Sequence, residues 1–170
     1  VIAVAEYCKR HRALSVTLEG RSAGGLTAGA CTVLRPELFQ SVVLGVPFVD
    51  IIASMSDKTI PLTTGELEEW GNPHEESYYN YMLQYSPYDN ITQTKYPNTL
   101  ITSGINDPRV QYWEPVKFQG KLKQNCTDNN THLLKINLDS GHFGGSDKYS
   151  EIKETVLKYA FILGTITNKN

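Results

Sequence analysis

Hydrophobic and polar positions along the chain change their spacing several times, and each change marks the border of a predicted element. Short runs that are apolar throughout, or that alternate apolar with polar residues, predict β-strands, whereas apolar residues three and four positions apart predict α-helices. The predicted strands are 14–18, 41–46, 99–103 and 132–138. The predicted helices are 1–10, 26–34, 75–85, 112–124 and 149–163, with a short helical stretch at 65–70 inside a loop at 57–72. The last helix is expected to bury one apolar face, formed by Ile152, Val156, Leu157, Ala160 and Phe161.

The alternation of strands with helices favours an α/β fold. Parallel strands joined by crossover helices form a sheet that is covered on both faces, and segment 41–46, apolar on both faces, fits a buried strand of such a sheet. We therefore predict a mostly parallel sheet in a three-layer αβα sandwich, with residues 1–170 belonging to one domain. In such a sheet, functional residues gather where the carboxyl ends of the strands meet.

Composition narrows the classes of function. Apolar residues make up 40% of the chain and charged residues 20%, as in globular domains, and the net charge of −2 gives no basic surface for nucleic acid. Apolar runs all fall short of the roughly 18 residues of a membrane span. The odd number of cysteines, without metal-like spacing, predicts free thiols in a reducing, cytoplasmic setting and no metal or other cofactor; these cysteines are Cys8, Cys31 and Cys126.

Residues 20–24 read G-R-S-A-G, a G-x-S-x-G motif between a predicted strand and a predicted helix. In that context the serine sits on a sharp turn that projects its hydroxyl from the sheet, which makes Ser22 the candidate nucleophile. The helix that follows directs its amino end at developing negative charge, so the backbone N–H of Ala23 is the candidate oxyanion donor. The alternative is a plain glycine-rich turn.

Two further polar residues follow predicted strands, as the partners of a serine nucleophile should. Asp107 comes after strand 99–103, and His142 follows strand 132–138 between glycines. The chain order Ser, Asp, His is that of α/β-hydrolases. In this triad Ser22 attacks the acyl carbon, His142 transfers the proton and Asp107 orients the imidazole. Histidines without this context are interpreted as structural or surface residues: His11, His74 and His132.

Several longer stretches resemble the C-terminal part of the catalytic domain in the prolyl oligopeptidase family of serine peptidases, family S9, and within it the oligopeptidase B group. Together they are far more specific than the serine motif alone. These stretches are 20–26, 35–39, 46–50, 61–63, 68–73, 85–90, 107–115 and 141–142.

The resemblance implies a serine endopeptidase that hydrolyses short peptides after Arg or Lys through an acyl-enzyme. It implies that Glu66 receives the basic P1 side chain, with Glu68 a weaker candidate, and that Arg109 holds a substrate carbonyl. A carboxylate suits a guanidinium because the two form parallel charge-assisted hydrogen bonds. Without the resemblance, the glutamates are interpreted as a solvated helical face and Arg109 as a surface residue.

The chain differs from the pattern of the family at two positions, and the resemblance predicts further parts of the protein upstream of residue 1. Glu19 and Arg21 stand where the family usually has a glycine and a small residue, and the long cation beside the nucleophile either crowds the pocket or reaches solvent. The chain opens on an apolar helix without a methionine, so we expect a piece of a longer protein. The first hydrolase strands and an N-terminal β-propeller are expected upstream, and the fragment alone is expected to be inactive.

Two other readings stay open at this point. One is a carboxylesterase or lipase on the same fold, which the acidic stretch at Glu66 disfavours. The other is a catalytically dead homologue that acts by binding. The complete set of Ser22, Asp107 and His142 disfavours this alternative, whereas Arg21 keeps it open.

The expected binding partners are short basic peptides. Nucleic acid and membrane are not expected as partners, and a homo-oligomer is left open.

Overall fold

A parallel four-stranded sheet forms the centre of the computed structural model, which describes residues 1–145 and 148–167. The strands follow chain order across the sheet, and each neighbouring pair is parallel. They are β1 Thr17–Arg21, β2 Ser41–Gly45, β3 Asn98–Gly104 and β4 His132–Asn137. Because all strands point the same way, the loops that follow them meet at one edge of the sheet.

Helices connect the strands and cover both faces of the sheet. The α-helices are α1 Ile2–Arg10, α2 Ala23–Leu34, α3 Ile51–Ser56, α4 Leu67–Trp70, α5 Glu76–Leu83, α6 Trp113–Asn125 and α7 Lys148–Thr167. Short 3₁₀ segments lie at Pro36–Leu38 and Thr63–Glu66. None of the helices in the described part of the chain is both long and apolar enough to cross a bilayer.

Alternate residues of the central strands belong to two separate apolar clusters, one on each face of the sheet. These clusters join the sheet to a helical layer on either side, which gives three layers. On one face, Leu44 and Ile101 pack with Ala28 of α2 and Phe118 of α6. On the other face, α7 packs on Val43 and Leu100. Side chains of one strand point to opposite faces with a period of two, so this division follows from the apolar character of β2 and β3 on both sides. The predicted αβα sandwich is confirmed.

The first strand lies three residues later than predicted. Its predicted start, Leu14, is 93% exposed, and the strand instead runs from Thr17, opposite Ser41, to Arg21, opposite Gly45. This register is set by pairing with β2, and the local pattern of apolar and polar residues carries no information about that pairing. As a result the first part of the G-x-S-x-G motif belongs to the strand, and the chain passes from strand to helix within a single residue, Ser22.

Helix α3 was not predicted. For α7, the prediction of the buried face is correct for some residues and wrong for others. Phe161 is buried and Leu157 partly buried against the sheet, but Ile152 and Val156 are 53% and 61% exposed, and Ala160 is exposed too. Within the described residues, α7 packs on the sheet through the face that contains Leu157 and Phe161. Periodicity identified the apolar positions of the helix without fixing which of them the sheet would cover.

Candidate active site

Ser22 occupies a strained backbone position between β1 and α2. Its φ of 53° and ψ of −123° place a residue with a side chain in a conformation that favours glycine. The turn is held by main-chain bonds, since Ser22 N–H donates to the Gly45 carbonyl at 2.9 Å and Phe48 N–H donates to the Ser22 carbonyl at 3.1 Å. Helix α2 starts at Ala23, so the Ala23 N–H is one of the four that a helix leaves without an internal acceptor.

Close packing explains why glycine occurs at positions 20 and 25 around this turn, but not why it occurs at position 24, the second glycine of the motif. A Cβ on Gly20 would lie 2.3 Å from the Gly24 carbonyl oxygen, and a Cβ on Gly25 would lie 2.6 Å from Pro47 Cα. A Cβ on Gly24 itself would meet no atom within 4 Å. The strand-to-helix crossing therefore requires glycine at positions 20 and 25, whereas the contacts described within this chain do not require glycine at position 24.

Asp107 and His142 form a buried pair on the loops that follow β3 and β4. His142 Nδ1 lies 2.8 Å from Asp107 Oδ2, and the two residues are 6% and 3% exposed. The other carboxylate oxygen accepts hydrogen bonds from the backbone N–H groups of Arg109, at 2.8 Å, and Val110, at 3.0 Å. These bonds fix the carboxylate, and the carboxylate fixes the ring, which leaves Nε2 as the nitrogen available for proton transfer.

Arg21 joins the serine turn to the histidine loop. Its guanidinium Nη2 donates a short hydrogen bond to the backbone carbonyl of His142. Gly45 leaves room for this side chain, since a Cβ there would lie 3.2 Å from Arg21 Nη1. The structure gives no hydrogen bond between the Ser22 hydroxyl and the His142 ring among the described residues; such bonds commonly tighten only when substrate is bound. The long cation is therefore bound to the histidine loop and does not simply extend into solvent.

Glu66 connects to the serine turn through two aromatic side chains. Trp70 Nε1 donates to Glu66 Oε2 at 3.0 Å, and the Trp70 ring meets the edge of Phe48 at a centroid distance of 5.4 Å. Phe48 is the residue whose N–H binds the Ser22 carbonyl. Glu66 is half-buried, while Glu68 is exposed on α4. Of the two predicted acidic residues, the fold brings only Glu66 into this group.

Arg109 lies beside the histidine loop and is exposed. Its guanidinium carbon sits 5.3 Å from the centroid of the Phe143 ring. Phe143 is itself 81% exposed and meets the His142 ring edge-on at 5.3 Å. Arg109 also donates its backbone N–H to Asp107, so one residue supports the buried pair through its main chain and extends a cation next to it through its side chain.

Glu114 is a buried carboxylate behind the site and was not among the residues predicted from the sequence. Glu114 Oε2 accepts hydrogen bonds from Val49 N–H and Asp50 N–H at 3.1 Å each, and Oε1 accepts one from Ser54 Oγ at 2.6 Å. Burial raises the pKa of Glu114 to about 7 despite these bonds. The carboxyl group anchors the segment after β2 that contains Phe48. A pattern-based prediction misses it because a single glutamate at the start of a helix has no distinctive spacing.

A strained serine between a strand and a helix, with a buried Asp–His pair on later loops of the same sheet edge, is the architecture of an α/β-hydrolase. The model of the prolyl oligopeptidase family (Peptidase_S9) matches residues 1–169, and the chain belongs to that family. This confirms the resemblance found in the sequence.

Individual relatives agree with the family. The chain is 51% identical over 144 residues to Protease 2 of Moraxella lacunata, covering 85% of this chain and 21% of that protein. It is 43% identical over 148 residues to dipeptidyl aminopeptidase BI of Pseudoxanthomonas mexicana, covering 87% and 20%. The structure of oligopeptidase B from Leishmania major superposes with a TM-score of 0.95 at 48% identity, covering 98% of this chain and 23% of that one. The chain therefore spans about a fifth of the length of the curated relatives it matches.

Proposed function

We propose that this chain is the C-terminal part of the catalytic domain of a serine endopeptidase that cleaves short peptides after Arg or Lys. Membership of the prolyl oligopeptidase family supports the reaction class. The observation that carries the proposal is the buried 2.8 Å contact between His142 and Asp107, tied by Arg21 to the turn that presents Ser22.

The proposed mechanism assigns one task to each group. Ser22 Oγ attacks the carbonyl carbon of the scissile bond while His142 Nε2 takes the hydroxyl proton. Asp107 holds the imidazole in the required tautomer and stabilises the imidazolium. The Ala23 N–H donates to the oxyanion of the tetrahedral intermediate. His142 then protonates the leaving amine, and water repeats the sequence on the acyl-enzyme to release the acid and restore Ser22.

Glu66 is the proposed partner of the P1 side chain, and Arg109 the proposed partner of a substrate carbonyl. The half-buried position of Glu66 supports this role, since a guanidinium gains more from a carboxylate that water screens less. One oxygen of Glu66 already accepts the Trp70 N–H, which orients the carboxylate. Glu68, exposed on the same stretch, is the weaker candidate. The exposed guanidinium of Arg109 is open to a ligand on the side away from the Phe143 ring.

We propose that segments of the protein outside these 170 residues complete the active site. The relatives are about four times as long as this chain, which supports upstream hydrolase strands and a propeller domain. A second oxyanion donor is expected there, and lacking one such donor costs roughly 10²–10³ in rate. The fragment alone is therefore proposed to be inactive. Three free cysteines support a reducing, cytoplasmic compartment.

A second candidate comes from the relative named dipeptidyl aminopeptidase BI. In that case the substrate would need a free amino terminus two residues before the cleaved bond. The acidic half-buried Glu66 favours recognition of a basic side chain instead, but it does not choose between internal and terminal cleavage.

The deciding experiment uses the purified protein in the longest form its gene encodes. Turnover is measured on an N-terminally blocked peptide with Arg at P1, the same peptide with a free amino terminus, a neutral P1 analogue and a short acyl ester. The proposal expects the blocked Arg peptide to be the best substrate. Preference for the unblocked peptide would favour the dipeptidyl enzyme, preference for the ester a carboxylesterase, and no Ser22-dependent turnover of any of them a binding protein.

A further inference from the structure

Three side chains with metal-binding chemistry meet in the turn between α6 and β4, away from the candidate active site. Cys126 Sγ lies 3.1 Å from His132 Nε2 and 3.0 Å from Asp128 Oδ1. The sulfur, a carboxylate oxygen and the imidazole nitrogen all fall within 4.8 Å of one another, and each residue is half-buried. A thiol, an imidazole and a carboxylate thus face a common point.

The spacing of these atoms is close to that of a tetrahedral zinc site. Zinc binds cysteine sulfur at about 2.3 Å and histidine nitrogen or carboxylate oxygen at about 2.0–2.2 Å, which separates such ligands by about 3.4–3.6 Å. The sulfur contacts of 3.1 and 3.0 Å need to widen by only a few tenths of an ångström. The third pair, the carboxylate oxygen and the imidazole nitrogen, lies within 4.8 Å.

Neighbouring groups already orient two of the three ligands. Thr99 Oγ1 lies 2.9 Å from His132 Nδ1, so Nδ1–H can donate to the hydroxyl while Nε2 faces the sulfur. Asn130 donates to both oxygens of Asp128, from its backbone N–H at 3.1 Å and its side-chain Nδ2 at 3.0 Å. Metal-binding histidines and carboxylates characteristically have such outer hydrogen bonds.

The cluster lies at the opposite edge of the sheet from the serine. His132 is the first residue of β4 and Thr99 the second of β3, whereas Ser22, Asp107 and His142 all follow the carboxyl ends of strands. A metal here would not take part in the peptidase reaction. It would tie the end of α6 to the start of β4 and to the loop that contains Thr94, whose carbonyl accepts Thr127 N–H at 2.9 Å.

We propose that Cys126, Asp128 and His132 bind a borderline divalent transition-metal ion, zinc in the first place, as a structural site between α6 and β4. Binding replaces the Cys126 S–H proton, which is released to solvent, by a sulfur–metal bond. The thiolate and carboxylate together balance the charge of the ion. A fourth position is open to water. Magnesium and calcium are disfavoured, because they take oxygen ligands and this set contains one sulfur and one nitrogen.

The spacing of the ligands along the chain explains why sequence inspection predicts no metal. The three residues follow Cys-x-Asp-x₃-His, which lacks the paired cysteines of common zinc motifs. The turn at 126–131 folds the histidine back onto the cysteine. The site depends on that turn geometry rather than on a recognisable repeat.

The test uses cobalt(II) and zinc(II) as probes on the reduced, purified protein in the longest form its gene encodes. We expect one equivalent of cobalt to give a thiolate-to-cobalt charge-transfer band and the visible bands of tetrahedral cobalt, both removed by one equivalent of zinc. Zinc is also expected to raise the thermal unfolding midpoint. Absence of the charge-transfer band at saturating cobalt, or an unchanged midpoint with zinc, would overturn the proposal.

Variants locate the site. Cys126→Ser is expected to abolish the charge-transfer band, Thr99→Val to weaken cobalt binding by about 10–100-fold, as loss of an outer hydrogen bond does, and Asp128→Asn to weaken it at least as much. Cys8→Ser is the matched control, since Cys8 is also a half-buried free thiol but lies in α1. If Cys126→Ser fails to fold, the Asp128→Asn titration decides. A band that survives in folded Cys126→Ser, an unchanged cobalt affinity in Asp128→Asn, or a band that disappears in Cys8→Ser would each contradict the assignment.

Discussion

The guanidinium of Arg21 donates a hydrogen bond to the backbone carbonyl of His142, although the two residues are 121 positions apart in the chain. The residue before the candidate nucleophile therefore holds the loop of the candidate base. Misplacement of a reacting group by about 1 Å can cost on the order of 100-fold in rate, so even a modest loosening of this loop should be measurable.

Replacement of Arg21 by glycine, the smallest residue the position could take, should lower kcat by about 10-fold or more while KM changes little. We expect this because the bond from Arg21 holds the loop of His142, so its loss should act on the chemical step rather than on substrate binding. Arg12→Gly is the matched control, since Arg12 is an exposed arginine with a φ of 78° that glycine accepts. An Arg21→Gly enzyme with unchanged kcat, or one altered only in KM, would show that the bond has no positioning role.

Asp107→Asn should lower kcat by about 10³–10⁴ without unfolding the protein. An asparagine oxygen can still accept the N–H groups of Arg109 and Val110, so the loop is retained. The substitution nevertheless removes the negative charge beside His142 and favours the wrong ring tautomer. The measurement is kcat alongside a thermal unfolding midpoint. Near-normal kcat in a folded variant would exclude Asp107 from the triad.

Glu66→Gln should remove much of the preference for Arg over a neutral P1 residue. Loss of a half-buried charge pair is expected to cost about 2–5 kcal/mol of transition-state binding for the Arg substrate and far less for the neutral one. Glu68→Gln is the matched control, since Glu68 lies two residues away and is exposed. If both variants, or neither, change the ratio of kcat/KM between the two substrates, the assignment of the P1 pocket to Glu66 is wrong.

The buried Glu114 should make stability fall as pH rises from about 5 to about 7.5. Its pKa is about 7 in the folded state against the ordinary 4.5, so in that range the folded protein keeps a proton that the unfolded chain has lost. The free energy of unfolding should drop by roughly 2 kcal/mol across this window.

Glu114→Gln supplies the comparison, because an amide has the shape of the protonated acid and does not ionise. The difference in unfolding free energy between the native protein and this variant should shift in favour of the variant as pH rises through 7. Denaturant unfolding at a series of pH values measures it. Parallel pH profiles for the two proteins would mean that Glu114 does not titrate in this range.

Short-range patterns predicted the features that depend on neighbouring residues. Alternation of apolar runs with helical spacing gave the parallel sheet and its two helical layers, and the order of Ser22, Asp107 and His142 after successive strands gave the hydrolase arrangement. These signals work because the central strands β2 and β3 are apolar on both faces, and because the sheet places the ends of its strands together whatever the intervening loops contain.

Features set by contacts between distant segments could not be predicted. The register of β1 depends on pairing with β2, and the buried side of α7 depends on which part of the sheet lies beneath it. The same holds for the bond from Arg21 to His142, the burial of Glu114 and the approach of His132 to Cys126. Each is decided by tertiary packing, which no local spacing records.

The most direct test of the central claim is covalent labelling of the protein, in the longest form its gene encodes, with a fluorophosphonate. We expect one label per active site, attached to Ser22 in the peptide that contains residues 20–24, and no label in Ser22→Ala or after prior acylation by an Arg-containing inhibitor. Folded Ser22→Ala that labels as fast as the native protein, or native protein that does not label at all, would contradict it.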